Sequence, residues 1–341
     1  MKLIKQIKQF VFEEDRPFKS CHASTVIEFP NGDLLVAYFA GSREGNPDVA
    51  IWCSKRTNDV WSKPYKVADE EGLVHWNPVL FRQDNGQIVL HYKVGTPIPA
   101  WYTRVVLSDD DGATWSQPVD LVPGDIGGRG PVKNKLIVLQ DGTWLAPASI
   151  EGDVWDCFAD ISHDQGVTWS RSELVPVNHG KEEQTGDMQL VRGKGLIQPT
   201  LWESKPGHVH MLMRSTAGFI YRSDSSDSGR TWSPAYRTYL PNNNSGFDLA
   251  QMDDGTLVLA YNPVGMYKGP RMPLLLSISK DNGEYWEELV VLEAEYRSFT
   301  IPIEPGEYSY PAVIARGNRI YVTYTWKRER IVCWSLEVET A

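Results

Sequence analysis

The sequence predicts an all-β fold, a six-bladed β-propeller of four-stranded antiparallel blades in a single domain over residues 1–341. Three observations carry this. First, the pattern Ser-x-Asp-x-Gly-x-x-Trp recurs as Ser108-Asp110-Gly112-Trp115, Ser162-Asp164-Gly166-Trp169, Ser225-Asp227-Gly229-Trp232 and Ser279-Asp281-Gly283-Trp286. A degenerate copy runs from Ser54 to Trp61, so the leading serines are separated by 54, 54, 63 and 54 residues. A fixed period of this length marks a repeat architecture, and six units of 54 residues fill 324 of the 341 positions. Second, turn dipeptides sit in phase with these boxes at Asn31-Gly32, Asn85-Gly86, Asp141-Gly142, Pro206-Gly207, Asp254-Gly255 and Gly317-Asn318. Each is a hairpin signal. Third, no capped segment of helical period interrupts them.

Taken in chain order, each unit reads the same way. Residues 25–29 are apolar and β-branched ahead of Asn31-Gly32, and residues 34–39 continue after it; residues 257–261 and 320–324 repeat the arrangement later in the chain. Each box then closes the outer hairpin of its blade. Its Ser and Asp side chains bond nearby backbone N–H groups, its Gly permits positive φ, and its Trp packs between sheets. That role is structural and assigns no chemistry to Asp110, Asp164, Asp227 or Asp281. The sixth unit has an inner hairpin at Gly317 but no box, so the N-terminal residues are expected to complete its sheet and remove an open edge.

Composition narrows the class. Lys plus Arg number 34 and Asp plus Glu 44, a net charge of −10, so the overall field repels nucleic acid and anionic membrane. Cys21, Cys53, Cys157 and Cys333 are far apart and read as buried free thiols, with no metal-ligand spacing and no cofactor motif. Residues 1–17 contain no apolar run of signal-peptide length, and no stretch reaches the roughly 20 apolar residues of a membrane span; a cytoplasmic location is the expectation.

In a propeller the innermost strands converge on one axis, so the positions just ahead of them line a common funnel. Blade by blade these are His22; His75, Trp76 and Asn77; Arg129, Lys133 and Asn134; Gln198; Asn244 and Asp248; and Tyr308 and Tyr310. The opposite rim of each inner hairpin adds Arg43, Glu44 and Asp48, then Lys93, Glu151, Arg214, Asn262, and Lys327 with Arg328. So many converging polar groups would be costly to bury without a partner, which favours a ligand site. Its cations favour an anion, and bidentate arginine pairing suits a carboxylate. Trp76, Trp101, Tyr102 and Trp155 offer faces for a sugar ring or packing between blades.

The boxes resemble the Asp-box repeats of the sialidase superfamily, and the resemblance extends over essentially the whole chain. It implies three arginines gripping a substrate carboxylate, an aspartate acid/base, and a tyrosine nucleophile assisted by a glutamate. Met213-Arg214-Ser215 matches the second arginine, and Glu307-Tyr308-Ser309-Tyr310 resembles the tyrosine segment, with Tyr308 and Tyr310 both open for the role. Asp48 is the counterpart of the acid/base, and Arg271 or Arg328 is the third arginine. The sequence departs from the pattern twice: His22, in Cys21-His22-Ala23-Ser24, stands where the leading arginine is expected, and Gln198, in Gln198-Pro199-Thr200, where the glutamate is.

A tyrosine needs a base to attack near neutral pH, and Gln198 supplies none, whereas histidine titrates there. His75 is the first choice for proton transfer and His22 the second, with Tyr310 or Tyr308 as partner and Asp48 as the alternative acid. Substrate contacts are expected from Arg214, Arg129, Arg43, Lys93, Asn77, Lys133, Gln198, Asn244, Asp248 and Arg328. The functional expectation is an exo-acting enzyme that hydrolyses the terminal residue of an acidic glycan. Two alternatives stand beside it: a lyase that eliminates a 4-linked group from a uronate, as in sialidase-fold lyases acting on rhamnosyl-glucuronate ends, and a propeller that binds acidic sugar without turnover.

Overall fold

A computed structural model describes residues 1–180, 188–295 and 306–339. Six antiparallel sheets surround one axis. Blade I starts at Ser20–Glu28, blade II at His75–Arg82, blade III at Ile137–Val138, blade IV at Leu196–Lys205, blade V at Asp248–Gln251 and blade VI at Tyr308–Arg316. Each continues outward through three more strands, and in blade I the outermost place is divided between Val60–Trp61 and Tyr65–Ala68, both paired with Ala50–Thr57. The expected closure is present: Lys2–Phe10 pairs with Arg330–Glu339, from Lys2 opposite Glu339 to Phe10 opposite Val332, so blade VI is made from both ends of the chain. The six turn glycines, Gly32, Gly86, Gly142, Gly207, Gly255 and Gly317, all have positive φ, as their hairpins require.

Each box is a closed set of local hydrogen bonds. Ser162 Oγ accepts from Gly166 N at 2.8 Å and donates to Asp164 Oδ1, while Asp164 also accepts from Thr168 N and Thr168 Oγ1. Asp110, Asp227 and Asp281 repeat the arrangement. These bonds hold the Asp110 and Asp164 carboxyls down at about 2, so the aspartates are spent on the turn. Outside blade III, whose Gly166 faces its own Trp144, the box glycine has a second reason to lack a side chain, because the turn docks on the preceding blade. At Gly229, where φ is +79°, a Cβ would lie 2.8 Å from Leu145 Cδ2 of blade III, and at Gly112 a Cβ would lie 2.9 Å from Leu35 Cδ2 of blade I. Gly229→Ala is therefore expected to destabilise the fold by more than about 1 kcal/mol, combining backbone strain with the clash on Leu145. Thermal unfolding checks this: an unchanged Tm would mean that the box is not an inter-blade joint.

Between blades, alternate faces of the strands interdigitate. Leu35, Ile51, Leu80 and Tyr92 lie in one core cluster between blades I and II, and Leu145, Met211 and Met213 in another between III and IV. All four cysteines are buried and unpaired within this packing.

A further regularity surrounds the axis. Ala23, Asn77, Gln198 and Tyr310 each adopt positive φ, between 37° and 53°, inside a bulge of their innermost strand. Gly130 and Asn244, at φ 69° and 61°, lie just ahead of the inner strands of blades III and V. A left-handed bulge re-aims the side chain and costs about 1–3 kcal/mol for a residue other than glycine. Here these left-handed positions turn Gln198, Asn244 and Tyr310 towards one another near the axis.

Candidate active site

Tyr310 is the hub of this mouth. Its half-buried hydroxyl accepts a hydrogen bond from Arg214 Nη1 at 2.7 Å, and Gln198 Nε2 approaches the same oxygen at 3.4 Å. Arg214 also donates from Nη1 to Gln198 Oε1 and from Nε to Asn244 Oδ1, each at 2.8 Å. One guanidinium thus ties together two bulge residues and Asn244. A second, Arg271, lies over the Tyr310 ring at 5.5 Å from the centroid and bonds Glu307 at 2.8 Å. A third, Arg328, bonds Glu307 and Glu44, both at 2.6 Å. Burial alone would raise the Glu307 carboxyl, but Arg328, Arg271 and Ser309 outweigh it and hold it below the usual carboxylate range. The three guanidiniums outnumber Glu307 and Glu44, the carboxylates paired with them, which favours an anion such as a carboxylate. The floor is close-packed at Gly246, where a Cβ would lie 3.2 Å from Lys133 Cε and 3.3 Å from Gln198 Oε1.

His22 is packed against this hub, its ring centroid 4.2 Å from that of Tyr310. Nδ1 is 2.8 Å from Thr325 Oγ1, whereas Nε2 is buried without a hydrogen-bond partner. Burial, followed by the charges of Arg328, Arg271, Lys133 and Arg214, drives the imidazole well below its ordinary value, so the ring is neutral.

Several residues expected to meet the ligand are instead buttresses. His75 is fully buried, with Nδ1 on the Val49 carbonyl at 2.9 Å, Nε2 on Glu70, and its ring stacked on Tyr92. It fastens residue 70 to the first two blades, so its assignment as first choice for proton transfer is corrected: both ring nitrogens are occupied. His75→Ala is expected to lower stability by about 1–3 kcal/mol through the loss of buried hydrogen bonds, while changing turnover by only a few fold; a Tm fall without a matching kcat loss is the check.

Arg129 is likewise saturated, by Asp160 at 2.8 Å, Asp125 at 2.7 Å and the Trp169 carbonyl, and is not available to an anion. Lys93 lies buried between Thr103 Oγ1 and the Arg129 carbonyl, and burial pulls its amine down to about 7. Lys133 is buried as well, bonded to Asn134, the Phe247 carbonyl and the Pro311 carbonyl, though its Nζ lies 5.8 Å from the Tyr310 centroid. Asp248 bonds Lys135, Thr200 and Val313 N, a joint between blades. Tyr308 donates to Glu295 at 2.5 Å, which leaves Tyr310 as the tyrosine at the hub. Asn77 is buried in its bulge, and Arg43 is exposed on the same loop as Glu44. Asp48, also exposed, accepts from Ser42 N and Ser42 Oγ at 2.8 Å, which holds its carboxyl low. Trp76 and Trp101 are buried against each other, centroids 6.2 Å apart, so they pack rather than present a face.

Sequence reasoning placed Arg214, Gln198, Asn244, Tyr310 and His22 in the funnel, and these are the residues that meet. It underrated Arg271 and Glu307. Their pairing across 36 residues, and that of Arg328 with Glu307 across 21, have no local signature in the chain.

Comparison with known proteins agrees with this architecture. A sialidase of Paraclostridium sordellii is 26% identical over 165 residues, covering 43% of this chain and 36% of the relative; the match thus spans about a third of that protein's length. Among solved structures, the Hadza microbial sialidase Hz136 superposes with a TM-score of 0.77 at 15% identity, covering 97% of this chain and 68% of that one. Trypanosoma rangeli sialidase in complex with the inhibitor DANA gives 0.71 at 14% identity, covering 98% and 60%. At such identities the structural likeness is one of fold. The BNR repeat-like domain pattern matches residues 32–322, the stretch that contains every box, five of the six hairpin turns with Gly32 of the first, and the Arg214–Tyr310 hub, and the chain therefore belongs to the BNR repeat-like domain family.

Proposed function

We propose that this propeller is a glycosidase that binds the terminal acidic sugar of a sialylated glycan by its carboxylate and hydrolyses its glycosidic bond. The observation that carries the reading is the convergence of Arg214, Arg271 and Arg328 on Tyr310. In this mechanism the guanidiniums hold the carboxylate and so fix the anomeric carbon near the phenol oxygen. Tyr310 attacks that carbon as the bond to the leaving sugar breaks; Arg214 and Arg271 beside the phenol favour its ionised form, and its proton passes to solvent, because Gln198 is no base and the His22 imidazole is driven well below its ordinary value. Water then releases the sugar from Tyr310. The relatives that are themselves sialidases support the substrate class.

Gln198, in place of a carboxylate beside Tyr310, favours a second reading, a propeller that binds the same sugar without cleaving it. Incubation with 3′-sialyllactose and with uronyl oligosaccharides separates the readings. Release of free sialic acid supports hydrolysis. Saturable binding without product supports the binder, and absorbance from an unsaturated uronate would overturn both.

A further inference from the structure

The funnel holds a carboxyl that the mechanism above does not use. Glu151 ends the strand Trp144–Glu151 of blade III, opposite Trp155. The residue is partly exposed, but its Oε1 is sealed from solvent and has no hydrogen-bond partner. Its side chain lies beside Ser149 and Gln198, and Gln198 Nε2 is in turn 3.4 Å from the Tyr310 oxygen. Its charged and titratable neighbours are Arg214 on blade IV, Lys93 on blade II, and the buried Cys157 thiol on the adjacent strand.

We propose that Glu151 is the general acid of the site, donating its proton to the glycosidic oxygen as that bond breaks. The inference rests on the hydrolytic reading. In the first step the C–O electron pair passes to the leaving oxygen, the Glu151 proton follows it, and Tyr310 oxygen bonds the anomeric carbon. In the second step the Glu151 carboxylate takes a proton from the water that displaces Tyr310, which restores the acid. Desolvation, outweighing Arg214 and Lys93, raises the Glu151 carboxyl above its usual range, as an acid that must hold a proton requires. Asp48 is placed in the opposite condition: its carboxylate is committed to Ser42 and held low, so it is a poor donor at neutral pH.

The test compares wild type, Glu151→Gln and Asp48→Asn on 3′-sialyllactose, whose alkyl leaving group needs protonation, and on 4-methylumbelliferyl N-acetylneuraminide, whose aryl leaving group does not. Glu151→Gln is expected to lower kcat on sialyllactose by about 10²–10³-fold and on the aryl substrate by less than about tenfold. Affinity for free sialic acid and Tm should be unchanged. Because the acid acts only while protonated, wild-type kcat on sialyllactose falls as pH rises through the raised Glu151 value, and this basic limb should vanish in the Gln variant. Equal losses on both substrates, or wild-type rates on sialyllactose, overturn the assignment. So does the leaving-group signature appearing in Asp48→Asn instead. A wild-type chain that binds sialic acid yet cleaves neither substrate overturns the hydrolytic reading itself, and the acid role with it. Should Glu151→Gln melt early, Glu151→Asp, which retains the acid, must restore the sialyllactose rate relative to Gln.

Discussion

Tyr310→Phe is expected to lower kcat on 3′-sialyllactose by about 10³-fold or more, with KM changed only a few fold, because it removes the atom that forms the bond to the sugar and nothing that holds the carboxylate. The structure makes this a clean substitution. The hydroxyl's partners are Arg214 Nη1 at 2.7 Å and Gln198 Nε2 at 3.4 Å, and Arg214 keeps its bonds to Gln198 and Asn244 when the hydroxyl is lost. The ring remains to pack on His22. Tm should therefore move little, and free sialic acid should bind nearly as before. Single-turnover kinetics with a mass measurement of trapped sugar on the protein provide a second check. Sugar covalently retained by wild type and absent from Tyr310→Phe supports the nucleophile, whereas unchanged turnover in the variant removes Tyr310 from the mechanism.

Arg214→Lys is the companion prediction. Lysine retains the charge but not the planar fork that reaches Asn244, Gln198 and Tyr310 at once. Loss of directed, charge-assisted bonds inside a buried site is expected to cost about 10²-fold in kcat/KM, roughly 3 kcal/mol of transition-state stabilisation. Binding of free sialic acid should weaken in parallel, which distinguishes this variant from Tyr310→Phe. The fold should tolerate the change, since a lysine from the same strand position can still donate to Asn244 or Gln198. Retained kcat/KM would make Arg214 a joint between bulges rather than a ligand for the substrate.

The local chemistry of the chain determined the architecture. Ser-x-Asp-x-Gly-x-x-Trp is a turn whose Ser and Asp side-chain hydrogen bonds fall within about four residues, and Asn-Gly or Asp-Gly between β-branched runs is a hairpin whatever surrounds it. Both are short-range, and their regular spacing left a ring of blades as the arrangement that satisfies them all. The ring in turn set which positions line the axis, and so Arg214, Gln198, Tyr310 and His22 are legible as funnel residues from the chain alone. What the tertiary structure alone decided is which axial polar groups have spare valence. Arg129 and Arg214 look alike along the chain, yet Asp160 and Asp125 consume the first while the second points at Tyr310. His75 and His22 differ in the same way: Val49 and Glu70 occupy both nitrogens of one, while Nε2 of the other is left without a partner. Those partners arrive from other blades or across bulges, up to 303 residues away for His22 and Thr325. A sequence specifies which groups a residue carries. Whether those groups are satisfied depends on burial and on neighbours that only the closed ring brings into contact.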